Sequence, residues 1–148
     1  MINGERGQSL FEVVVAIAIS ALIIVAIVSL ATNSIQNSSF SKNKTLAATY
    51  VQEVSEWLRG QRDSDMGVFS SHVETPVWCF QDLTWNLPGA CGENNKIAET
   101  QFTRQAVFTI TTEGGKNFIE SNVTVSWTDP KGIHQVSSST NLSDWRQR

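Results

Sequence analysis

Hydrophobicity along the chain changes character twice. Residues 1–7 are polar and include Glu5 and Arg6. Residues 13–41 carry no charge, and over residues 13–31 only Ser20 and Ser29 interrupt an apolar run. A hydrocarbon core about 30 Å thick needs roughly 20 mostly apolar residues, which residues 13–32 supply. Backbone groups in lipid must be satisfied within the segment, so a single span has to be a helix. A cleavable secretory signal fits less well, because the run is long and no clear small-x-small site follows it. A buried core helix would show a polar face, and none is present.

Beyond Phe40 the pattern becomes one-sided. Ala47, Tyr50, Val51, Val54, Trp57 and Leu58 recur at helical spacing, while Gln52, Glu53, Ser55, Glu56 and Arg59 are placed on the opposite face. Neither Pro nor Gly occurs between Gln8 and Arg59, and the first breaker is Gly60. The spacing therefore predicts one helix over residues 8–62, apolar all round in its first half and amphipathic in its second. Its weakest stretch is residues 32–41, rich in Asn and Ser.

Residues 63–101 read as irregular, with Gly, Pro, Asn and both cysteines. From about Thr103 the texture alternates. Residues 106–112 are rich in Val, Phe, Ile and Thr, and Gly114 and Gly115 end them. Val123, Val125 and Trp127 alternate with Thr124 and Ser126, the pattern of a half-buried strand. Asp129, Pro130, Lys131 and Gly132 make a turn, and a third strand runs over about residues 133–142. Three strands joined by short turns predict an antiparallel meander with one face needing cover, and the Ala47-to-Leu58 stripe is the cover. The expected class is α+β: a long N-terminal helix packed on a small antiparallel β-sheet head spanning residues 63–148.

Charge and composition narrow the function classes. The net charge is −3 over 148 residues. Residues 63–148 hold ten acids and six bases, a net of −4, which argues against nucleic acid capture by the head. His72 and His134 lie far apart, and no catalytic constellation, phosphate loop, metal-ligand cluster or cofactor motif stands out. The chain reads as a non-enzyme. Cys79 and Cys91 close a short loop, and in an exported chain a lone pair at this spacing is most simply a disulfide. Trp78, Trp85 and Trp145 suit a core better than an exposed adhesive surface.

Export is addressed by Gly7, Gln8, Ser9, Leu10, Phe11 and Glu12, directly ahead of the apolar run. This stretch resembles the class III signal of type IV pilins and pseudopilins, closely over residues 7–30 and more loosely over the rest of the helix. The resemblance implies a leader at residues 1–7, cut after Gly7 by a prepilin peptidase, with Gln8 as the methylated mature N-terminus and Glu12 as the fifth mature residue. It implies an assembly role for Glu12: a carboxylate in hydrocarbon costs about 2.5 kcal/mol or more, and the family offsets that by pairing it with the N-terminal amine of a neighbouring subunit.

Partners implied are other pilin subunits, the peptidase, inner-membrane assembly machinery and the membrane itself. The precursor would sit single-pass in the inner membrane with its head outside, and the mature chain in an extracellular or periplasmic filament. Gln8 stands where Phe or Met is more usual, the apolar helix lacks a proline, and the cysteines lie between helix and sheet. These departures point to a minor pilin or a pseudopilin of a type II secretion or competence machine. A membrane-anchored binding module that never polymerises is the rival from another class.

Overall fold

The computed structural model describes residues 5–113 and 116–144, with side chains from Leu10 onward. The elements in chain order are helix α1 (Glu5–Ser64), helix α2 (Met66–Val73), and strands β1 (Val77–Cys79), β2 (Thr103–Glu113), β3 (Lys116–Asp129) and β4 (Gly132–Asn141). The chain divides into two compact units, Met1–Lys42 and Asn43–Arg148.

The described part of the first unit is helix alone. Every residue from 10 to 39 is exposed within it. Its hydroxyls turn inward: Ser20 Oγ donates to Ala16 O at 2.8 Å and Thr32 Oγ1 to Val28 O at 2.9 Å. Back-bonding of this kind lets a hydroxyl sit in a span without an unsatisfied donor.

In the second unit the remainder of α1 lies on a four-stranded antiparallel sheet of order β1-β2-β3-β4. Ala47, Val51, Val54 and Leu58 are at most 2% exposed, Tyr50 packs tilted against Phe102 and Trp57 edge-on against Phe80, each with centroids 5.4 Å apart. Opposite them, the inward positions Ala106 and Phe108 of β2 and Ile119, Val123, Val125 and Trp127 of β3 are buried. The outward positions of both strands are half-buried or exposed, the alternation of a sheet covered on one side. The α+β class and the helix-on-sheet packing agree with the residue pattern.

Three features depart from expectation. Gly60 does not break α1, which runs on to Ser64; the packing of Leu58 and the ion pair of Arg62 with Asp63 sit either side of it. Residues 63–101 are not wholly irregular. They hold α2, whose N-cap Asp65 accepts from Val68 N–H at 3.0 Å, and the edge strand β1. The sheet therefore has four strands, not three. Ser55, expected on the wet face, is 7% exposed and donates its Oγ to Val51 O at 2.9 Å. The Gly114–Gly115 turn lies outside the described residues.

Candidate functional site

The first candidate is the apolar half of α1. Every large apolar side chain from Leu10 to Leu30 is between 38% and 72% exposed. Soluble proteins rarely expose a contiguous apolar patch on this scale without covering it by a membrane or a partner. Residues 13–32, at about 1.5 Å per residue, cover the roughly 30 Å of a hydrocarbon core. The helix is thus long and apolar enough to cross a membrane.

Glu12 is exposed and sits on the face shared by Phe11, Val15, Ala16 and Ile19. It is the last charged residue before Lys42. A carboxylate there has no cation to pair with further along the apolar run. The helical backbone passes through Gly7 and Gln8, while their side chains and residues 1–4 lie outside the described part.

The second candidate region is the cysteine loop. Cys79 and Cys91 are bonded, with Cα atoms 4.9 Å apart. The loop between them returns along β1: Cys79 N–H donates to Leu87 O at 2.9 Å and Gly89 N–H to Val77 O at 2.8 Å. This folds Trp85 into an aromatic cluster, 5.1 Å from both Trp57 and Trp78 and 5.4 Å from Phe80, with the His72 ring stacked on it at 4.7 Å. His72 Nδ1 is 2.8 Å from Val68 O, and Trp78 Nε1 donates to His72 O at 2.9 Å. Within this cluster Phe80 and Trp78 (7% exposed) are core, as is Trp127 at 2% elsewhere in the head, whereas Trp57, Trp85 and His72 are half-buried. Trp145 lies outside the described residues.

Residue patterning alone had passed over Arg104. On β2 it occupies an inward position between Phe102 and Ala106, with its side chain 3% exposed. Nε donates to Phe80 O at 3.1 Å, Nη1 donates to Glu53 Oε2 at 2.6 Å, and the guanidinium stands 6.0 Å from the Tyr50 ring centre. Glu53 was expected to face away; its side chain is 48% exposed but its carboxylate closes this ion pair across to the sheet. The available signal was the alternation of Phe102, Arg104, Ala106 and Phe108, which aims a charge at the helix.

His134 Nε2 pairs with Asp129 Oδ1 at 2.9 Å, and Lys131 N–H donates to the same oxygen at 2.7 Å. Burial pushes the Asp129 carboxyl up, but the hydrogen bonds from His134 and Lys131 outweigh it and hold the group below its ordinary value. The two histidines thus serve separate structural contacts. Among the described residues no group of three His, Cys, Asp or Glu side chains is placed to hold a metal ion.

No family model, curated protein or solved structure matches the chain.

Proposed function

We propose that the chain is a structural subunit, of the minor class, of a type IV pilus or a related filament, assembled through its N-terminal helix. The reading is carried by one observation: a helical segment, residues 10–31, exposed throughout and apolar on all sides, whose lone acid, Glu12, stands about one turn beyond the Gly7–Gln8 junction. The acid is hard to place in any other role. In lipid it is a liability; against a neighbour's N-terminal amine it becomes a register mark.

In this mechanism the precursor waits in the inner membrane with its head outside. A prepilin peptidase removes residues 1–7, and the new amine at Gln8 becomes available for methylation and pairing. The apolar span then leaves lipid and enters a bundle of like helices. Lipid and protein interiors are about equally apolar, so this transfer carries little hydrophobic driving force, and van der Waals packing and polar contacts decide it. Pairing of Glu12 with an incoming or resident amine supplies such a contact and fixes the axial position. Other proteins drive extension.

The lack of a proline in the span and the placement of the cysteines also suit a pseudopilin of a type II secretion or competence machine. Mature protein found in sheared surface filaments favours the pilus, and mature protein retained in the periplasm favours the pseudopilin.

The test is intact mass and N-terminal sequencing of the protein from cells with and without prepilin peptidase. The expected mature chain begins at Gln8 only when the peptidase is present. A chain that begins at Met1 in both backgrounds sinks the proposal, leaving a membrane-anchored module that does not polymerise.

A further inference from the structure

The face of the head sheet turned away from α1 has an unusual make-up. Its positions alternate with the buried ones, so the register gives them as cross-strand rows. Thr103, Ser126 and Gln135 form one row, and Gln105, Thr124 and Ser137 form the next. Counting the row on either side, eleven adjacent outward positions carry no charge, and all but Val107 and Ile133 are hydroxyl or amide side chains. All of them are half-buried or exposed. A soluble surface of ordinary make-up is about 25–35% charged, so a charge-free field of this extent needs a reason.

Over one end of the field stands a wall. The loop of residues 91–101 starts at the disulfide and leads into β2, and it lines with the sheet an open cleft of 520 Å³. Thr103, Ser126, Thr128 and Ile133 come from the sheet, and Glu93, Lys96 and Gln101 from the loop.

This wall is tied down along its length. The disulfide holds Cys91, and Gly92 N–H donates to Asn95 Oδ1 at 2.9 Å. Lys96 and Thr103 form an antiparallel bridge, and Ile97 N–H donates to Phe102 O at 2.9 Å. The cleft is therefore formed before any ligand arrives, and its volume falls in the range of about 300–1,000 Å³ typical of small-molecule sites.

The lining limits what can occupy it. One acid and one base leave the cleft without net charge, which gives an anion no advantage in a head of net charge −4. Val107 and Ile133 alone are too little apolar surface for a lipid chain or an apolar peptide. Surfaces that recognise proteins are enriched in aromatic residues, Met and Arg and depleted in Ser; the eleven positions hold none of the enriched types.

What the field offers is groups that donate and accept hydrogen bonds at once, as hydroxyls and carboxamides do. A sugar hydroxyl has the same double character. Adjacent sugar hydroxyls can both donate to the Glu93 carboxylate, while Gln101 can donate to one and accept from another. Ile133, 79% exposed, presents an apolar surface suited to the C–H face of a pyranose ring. Short Ser and Thr side chains on a paired strand lose little freedom when bound, which keeps the cost of ordering them low.

We infer that the cleft between residues 91–101 and the outward sheet face is a binding site for a neutral oligosaccharide, whose further units continue along the hydroxyl and amide rows. The site belongs to the head alone, so the inference does not depend on filament assembly.

The test uses the full chain in a zwitterionic detergent, because a maltoside headgroup would compete. Saturation-transfer NMR titrations are run with cellohexaose, chitohexaose, maltohexaose and mannohexaose, and with hexagalacturonate as the acidic counterpart. At least one neutral hexamer is expected to bind saturably, and more tightly than hexagalacturonate. Ser126→Arg, which fills the floor of the cleft from an outward strand position, should weaken that binding about tenfold or more, while Ser126→Thr should preserve it.

Gln101→Ala, on the loop, should weaken binding severalfold and serves if Ser126→Arg does not fold; an unchanged urea midpoint certifies each variant. The inference is overturned if no neutral hexamer binds saturably, if hexagalacturonate binds as tightly as the best of them, or if folded Ser126→Arg and Gln101→Ala bind as well as wild type. Sugar binding by a chain that keeps Met1 in cells with the peptidase leaves this site standing and defeats only the filament reading.

Discussion

The ion pair between Glu53 and Arg104 is the contact through which the amphipathic half of α1 is pinned to the sheet by charge, and removing Glu53 measures it. The two partners are unequal. Arg104 has its side chain 3% exposed, whereas Glu53 retains 48%. In Glu53→Ala the guanidinium keeps its bond to Phe80 O and its place over Tyr50 but loses the carboxylate that pairs with it. Breaking a fully buried pair costs about 3–5 kcal/mol. Water reaches the Glu53 side of this one, so the cost falls to that of a charged hydrogen bond, about 1.5–3 kcal/mol. At about 4–8 °C per kcal/mol for a domain of this size, the head should melt roughly 10 °C lower.

Arg104→Met separates the pair from the charge. It removes the buried cation together with its desolvation cost, fills much of the same volume, and frees Glu53 to water. Its main loss is the donor to Phe80 O, about 1–2 kcal/mol. Adding Glu53→Ala to Arg104→Met should then cost little more, giving a coupling energy of about 1.5 kcal/mol in a double-mutant cycle. The assay is urea unfolding of the full chain in detergent, followed by the fluorescence of Trp57, Trp78, Trp85 and Trp127. If Glu53→Ala lies within about 0.5 kcal/mol of wild type, the pair behaves as an ordinary surface bridge, and the claim that it pins the helix is wrong.

Reducing the Cys79–Cys91 bond, or replacing both cysteines by serine, frees a loop whose ends are 12 residues apart; loop-closure entropy sets the loss at about 3 kcal/mol, read as a lower urea midpoint. Asp129, held below its ordinary value by His134 and Lys131, adds stability that is full above the usual aspartate range and is lost as pH falls through the depressed folded value. Acid titration of wild type should therefore show a loss of head stability below about pH 4 that shrinks in Asp129→Asn; identical acid profiles would count against the contact. In Glu12→Ala, insertion into the inner membrane and cleavage after Gly7 should be unchanged, while recovery in sheared or periplasmic filaments falls; full recovery removes Glu12 from the register mechanism.

What could be read from residue order follows from how many residues carry each signal. The apolar run is written by some twenty consecutive side chains and the amphipathic stripe by Ala47 through Leu58, so both are robust to any single exception. The long strands β2 and β3 likewise show alternation over many positions. Strand β1 and helix α2 have 3 and 8 residues, too few for a period to declare itself, and each is held by contacts made elsewhere: β1 by its register with β2 and the returning loop, α2 by the Asp65 cap and by Phe69 buried beside Phe108 and Trp85.

Pairwise chemistry was the least legible of all. Glu53 and Arg104 are separated by 51 residues, and nothing in either neighbourhood says which acid meets which base. A residue's partner across the sheet is a property of register, and register follows from turns at Asp129–Gly132 and from which face the helix covers. Periodicity therefore locates the apolar helix directly, whereas side-chain partners emerge only with the register.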